Sequence, residues 1–116
     1  MAAGGYNILI EQGATYDQTF TWEVSGSPVN LTGYTARMQF RDSMASPTKV
    51  VEFGVTTGAT ITLGGAAGTI RVQLTATATA ALNAGSYVYD LELVSGAGVV
   101  TRLLQGAVSV NPEVTR

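Results

Sequence analysis

The sequence contains no cysteine and no histidine. Histidine is the side chain that titrates near neutrality and the thiolate is the common soft ligand and nucleophile, so their absence removes most metal, acid–base and covalent chemistry. It also leaves no disulfides to hold the fold and gives no sign of redox compartment. Charge is scarce as well: 12% of the 116 residues are Asp, Glu, Lys or Arg, against 46% hydrophobic. Thr, Ser, Gly, Asn and Gln must therefore cover the surface, a composition that suits a protein partner better than bare water. Six basic residues against eight acidic ones, net charge −2, cannot line a phosphate track, which argues against nucleic acid. No stretch approaches the ~18 apolar residues of a spanning helix, and the first residues lack the basic and apolar regions of a cleaved signal. The expectation is one soluble domain made in a cytoplasm, with no membrane partner.

What the chain has is alternation. Tyr16, Phe20, Trp22 and Val24 share one parity, with Asp17, Thr19, Thr21 and Glu23 on the other. The pattern repeats in Ala36, Met38 and Phe40 against Arg37, Gln39 and Arg41, and in Ile70, Val72 and Leu74 against Thr69, Arg71 and Gln73. Side chains alternate across a strand, so each segment declares one dry face. Turn formers such as Ser25-Gly26-Ser27-Pro28, Gly64-Gly65-Ala66-Ala67-Gly68 and Ser95-Gly96-Ala97-Gly98 separate the runs at intervals of about ten residues, the spacing of an all-β sandwich or barrel. Strands are predicted over 6–11, 15–24, 34–41, 49–55, 60–63, 69–74, 86–94 and 99–110. Gly106 marks a bulge or a close backbone approach in the last of these. One helical turn is predicted at 76–82 with Thr75 as its cap, the alternative being a low-complexity linker. The organisation is a short arm, 1–5, a β-domain, 6–110, and a tail, 111–116.

The run Leu82 to Tyr87 has the form of the corner at which immunoglobulin-like antiparallel sandwiches cross between sheets, with Tyr87 bonding back to the connection. The alternative is an ordinary amphipathic tyrosine at a strand rim. Asp90 and Glu92 share a strand face and invite a general-acid or calcium reading, but calcium takes six to eight oxygens and a regular strand supplies too few. The structural alternative pairs them across strands with Arg37 and Arg41, each pair contributing only ~0 to 1 kcal/mol if exposed. The Gly64–Gly68 run lacks the strand-then-helix context of a phosphate loop and reads as a turn. No serine has a base to activate it, and the sole lysine, Lys49, reads as solvated. Trp22 and Tyr16 invite a sugar-stacking reading, as in an adhesin, but their inward parity favours core packing. No catalytic residue, metal or cofactor is expected. Candidate partner contacts are Ala2, Gly4 and Gly5 at one end, Asn111, Pro112 and Glu113 at the other, and Met44 and Pro47 in the 42–48 loop.

The stretches Asn7–Thr15, Phe20–Trp22, Pro28–Gln39, Ile61–Ile70 and Ala84–Leu93 resemble a small family of tailed-bacteriophage virion proteins. More distantly, they resemble the amino-terminal sandwich domain of phage baseplate upper proteins. The resemblance covers nearly the whole chain and implies an immunoglobulin-like sandwich of seven or eight strands, without enzyme activity, that binds other virion proteins in repeated, symmetric copies. In the baseplate family this domain attaches a stalk or receptor-binding assembly; here the sequence stops at Arg116, which favours a stand-alone adaptor at tail, neck or fibre junction. Capsid decoration is the second expectation and a glycan-binding module the third.

Overall fold

The computed structural model describes residues 4–114. Among them the alternating segments form eleven strands: β1 Gly4–Gly5, β2 Ile8–Glu11, β3 Tyr16–Thr21, β4 Glu23–Val24, β5 Ser27–Pro28, β6 Thr35–Arg41, β7 Lys49–Glu52, β8 Ala59–Leu63, β9 Thr69–Leu74, β10 Gly85–Val94 and β11 Val100–Asn111. The class is all-β. One short helix, α1 Ala76–Ala80, follows β9, and Thr75 caps it by accepting from the Ala78 N–H. A 3-10 turn, Gly65–Ala67, links β8 to β9 where the sequence suggested a plain hairpin turn.

The larger sheet runs β1-β11-β10-β6-β7, and β2 pairs in parallel with the far end of β11 on the edge that β1 also occupies. The second sheet is β3-β9-β8, wholly antiparallel. Residues of one parity from both sheets meet in one hydrophobic cluster: Ile8, Ile10, Met38, Phe40, Ile70, Val72, Leu91, Leu93 and Val108 are all at most 2% exposed. Phe40 lies edge-on to Phe53 and Tyr89 at its centre. Tyr87 and Tyr89 join the same cluster, their rings inside and their hydroxyls bonded to backbone carbonyls.

The predicted strand 15–24 does not run through. Glu23–Val24 peels away to form a separate ribbon with Ser27–Pro28, closed by Ser25 and Gly26, both at positive φ. That two-residue turn imposes its own twist and turns Val24 outward, 55% exposed, against the dry parity. Trp22, where the strand bends, is half-buried and lies edge-on to Tyr34. The strand predicted over 49–55 stops at Glu52 because the Val55 and Thr56 N–H groups turn back to its carbonyl.

Gly106 is not a bulge. The register shift in β11 falls at Leu103, between the Leu91–Leu104 and Glu92–Arg102 pairs. Gly106 instead allows the chain between β1 and β2 to cross close above it, because a Cβ there would run into the Tyr6 carbonyl oxygen and the Asn7 side chain. Asn7 Oδ1 accepts from the Ala107 N–H, so a side chain completes the ladder where the edge strand is interrupted. Gly4 and Gly5, predicted as a loose arm, pair with Leu104 and Gln105.

Candidate functional site: a charged trough on the larger sheet

Four of the six basic residues, Arg37, Arg41, Lys49 and Arg102, and three of the eight acidic ones, Glu52, Asp90 and Glu92, gather on the outward face of β11, β10, β6 and β7. Strand pairing sets this arrangement. Glu92 stands opposite Arg37 on one side and Arg102 on the other; Asp90 stands opposite Gln39, and Val88 opposite Arg41. The face forms a trough of ≈ 720 Å³, bordered by Met44 from the β6–β7 loop and by Gln105 and Gly106 of β11.

Two chains of polar contacts run across this face. In the first, Arg37 Nε meets Glu92 Oε1 at 2.6 Å, and Arg102 reaches Asp90 at 3.3 Å and Glu92 at 3.7 Å. In the second, Glu52 takes both the Gln39 amide at 3.0 Å and the Lys49 ammonium at 3.1 Å. The Arg41 guanidinium donates to Gln39 Oε1 and to the Ser46 carbonyl. The sequence expectation for these groups therefore needs two corrections. Arg41 reaches neither Asp90 nor Glu92, because its strand neighbour is Val88 and the 42–48 loop offers a nearer carbonyl. Asp90 pairs instead with Arg102, which sequence reasoning missed. Lys49 is exposed, as expected, and its ammonium also pairs with Glu52.

Arg102 escaped notice because the shift at Leu103 puts Arg102 outward and Leu104 against Leu91, although both positions are even. The clue was the charged and apolar residues sharing one parity in Arg102 and Leu104. Chemically, the trough presents paired carboxylates and guanidinium groups, and a guanidinium does not give up its proton. Among the described residues no three His, Cys, Asp or Glu side chains gather to hold a metal ion.

Some of the other candidate residues lie on the border of the trough and the rest lie apart from it. Met44 is 83% exposed and overhangs the trough, and Pro47 is exposed on the same loop. Gly4 and Gly5 lie on the β11 edge, Gly5 beside Gln105 of the trough rim. Asn111, the last residue of β11, is exposed and pairs with Glu11 of β2; Pro112 after it is exposed, while Glu113 is half-buried, folded back with its N–H on Gln12 Oε1. Ala2 lies outside the described residues. Tyr87 sits at the start of β10, its hydroxyl donating to the Asn83 carbonyl four residues earlier. Burial, then Asp42, raises its pKa above the ordinary value.

A second polar group was hidden in the low-complexity run. Thr79 on α1 is fully buried; its Oγ1 accepts from the Gly13 N–H at 3.1 Å and lies 2.9 Å from the Ala14 carbonyl, to which it donates. The helix thereby pins the β2–β3 turn. On the outer face of the smaller sheet, Arg71 forks onto Asp17 at 3.0 and 2.6 Å, and these hydrogen bonds and the guanidinium charge hold the Asp17 carboxyl below its ordinary range. No protein-family model matches the chain, and no curated protein matches it.

Proposed function

We propose that the chain is a non-enzymatic structural protein of a tailed-phage particle: an immunoglobulin-like sandwich serving as an adaptor or attachment module at the tail, neck or fibre junction. The observation that carries the reading is the trough. Its charged groups are engaged with one another and fixed by strand register, which supports a rigid surface with exposed Met44 and Gln105 on its border rather than a reacting centre. The strand order supports the fold assignment, since β11-β10-β6-β7 opposite β3-β9-β8 matches the G-F-C-C′ and B-E-D layers of that architecture. The Tyr87 hydroxyl on the Asn83 carbonyl matches its tyrosine corner. The resemblance to phage virion proteins supplies the biological setting.

The packing of Tyr16 and Trp22 speaks against a glycan module. Both are half-buried and packed against the core cluster, and Trp22 also meets Tyr34 at 85°, so neither stands out as an exposed platform of the kind on which sugars stack. Quantitative mass spectrometry of phage particles purified from the lysate that yields this chain tests the proposal. The chain is expected at a fixed ratio to the major capsid protein and, after heads and tails are separated, in the tail or neck fraction. Recovery with heads alone would favour capsid decoration. Its absence from purified particles would overturn the reading.

A further inference from the structure

We propose that a second copy of this chain docks antiparallel along the free edge of β8, with a two-fold axis through Thr62, so that two three-stranded sheets become one of six strands. The pairing with β9 shows which backbone groups are free. The Thr75 N–H donates to the Gly58 carbonyl at 2.9 Å and the Gly64 N–H donates to the Thr69 carbonyl at 2.8 Å. Even-numbered residues of this segment therefore turn their backbone groups toward β9, and Ala59, Ile61 and Leu63 turn theirs the other way. Ala59 is already engaged: its N–H donates to Thr56 and its carbonyl accepts from Gly54. The N–H and C=O of Ile61 and Leu63 remain, and among the described residues no backbone or side-chain hydrogen bond from outside the sheet reaches them.

The other edges are guarded. Strand β7 carries Lys49 and Glu52 and a register shift, β3 carries Asp17 and runs into Glu23, β2 ends in Glu11, and β1 is two glycines. Strand β8, Ala-Thr-Ile-Thr-Leu, has neither charge nor proline, the kind of edge that accepts another strand.

Its own copy is the occupant that fits. An antiparallel register centred on Thr62 sets Ile61 opposite Leu63 of the other copy and Leu63 opposite Ile61, so all four free groups on each strand find partners. Centring on Ile61 instead would set Leu63 against Ala59, whose groups are spent. The Thr62 register also places two threonines side by side on the outer face, a favourable cross-strand pair. It extends the apolar row of Ile61 and Leu63, both half-buried in the single chain. Charge does not oppose it. The nearest cation, Arg71, lies opposite Thr62 on β9 and is paired with Asp17. Its counterpart in the other copy would be three strand spacings away, about 14 Å, beyond the Debye length at physiological salt. A neutral strand has no charge with which to select a charged partner, whereas it meets itself without like charges in contact. The contact is a property of this strand and does not depend on the virion reading.

A Thr62→Cys variant gives the direct test, because the chain has no other cysteine. Facing residues of a non-hydrogen-bonded antiparallel pair have Cα atoms about 4.5 Å apart, within disulfide range. Mild oxidation is expected to link Thr62→Cys into a dimer at least about tenfold faster than Thr60→Cys, whose two copies would be displaced along the strands by four residues, roughly 13 Å. Sedimentation velocity of the unmodified protein is expected to show a concentration-dependent dimer, weakened about two- to fivefold by Thr62→Lys or Thr62→Glu and restored when those two are mixed. Thr62 is exposed, so circular dichroism should show all the variants folded. Equal cross-linking rates for the two cysteine variants, or a dimer that ignores both charges at Thr62, would overturn the proposal.

Discussion

At the scale of single residues, two tyrosines show how one side chain can stabilise or strain a core according to whether its hydroxyl finds a partner. The Tyr89 hydroxyl donates to the Tyr6 carbonyl at 2.6 Å and so ties the segment before β2 to the core, while the Tyr16 hydroxyl is buried with no partner among the described residues. Removing a made hydrogen bond and removing an unmade one have different consequences. Tyr89→Phe is expected to cost about 0.5–1.5 kcal/mol in urea denaturation, and Tyr16→Phe to be neutral or stabilising. The same burial governs alkaline behaviour. Burial, and then the nearby Tyr6 phenol, push the Tyr16 pKa from 10.0 up to about 12, and Tyr89 shifts in the same direction from burial, then Tyr16, then Tyr6. Between these values the unfolded chain has lost phenolic protons that the folded chain keeps, so stability is fully present below pH 10 and falls as the pH rises toward 12. The urea midpoint should be lower near pH 11.5 than near pH 9. The drop should be smaller in Tyr16→Phe, and an equal drop would show that Tyr16 does not contribute to it.

At the scale of elements, the central strands were legible because each has one wet and one dry face. Met38 and Phe40 on β6, Val72 on β9, and Tyr87, Leu91 and Leu93 on β10 are all buried as their parity requires. Legibility failed where the chain changes faces. The turn at Ser25-Gly26 frees Val24 from the core, and the extra residue at Leu103 moved Arg102 into the trough; both are properties of pairing with a distant strand, which local alternation does not encode. The site was legible only in part for the same reason: Arg37 meets Glu92 because β6 and β10 are neighbours, whereas the Arg102 contacts depend on the shift in β11. Gly106 was legible as a bulge or a close backbone approach, and the close approach is the one it makes. Because a Cβ there would meet the Tyr6 carbonyl oxygen, Gly106→Ala should displace the crossing segment and loosen the Tyr89–Tyr6 and Asn7–Ala107 bonds together, at a cost of about 1–3 kcal/mol. Amide exchange provides the check: the Tyr6 and Ala107 amides should lose protection while those of β9 keep it, and unchanged protection at both would mean that the edge tolerates the methyl group.

At the scale of the whole molecule, the amino-terminal segment is an edge of the larger sheet that runs beside Gln105 of the trough rim, so its removal separates folding from attachment. Deleting residues 1–5 takes away only the short parallel pair of Gly4 and Gly5 with Leu104 and Gln105 among the described contacts. Tyr6 would keep its N–H on Gln105 and its carbonyl under the Tyr89 hydroxyl, and Ile8 would stay buried at 2% exposure. The truncated domain should therefore fold, losing on the order of 1 kcal/mol. Extending the deletion through Ile8 should cost several times more, because it also empties a core position and strands the Tyr89 hydroxyl, with about 2–5 kcal/mol expected from the lost isoleucine alone. If the proposed adaptor role places its contacts at the ends and along the trough rim, the shorter deletion should leave the urea midpoint nearly unchanged while reducing incorporation into particles when it competes with the full-length chain. Equal incorporation of the two forms would move the attachment surface elsewhere, and a collapse of stability in the shorter deletion would show that β1 contributes far more to the sheet than its two residue pairs indicate.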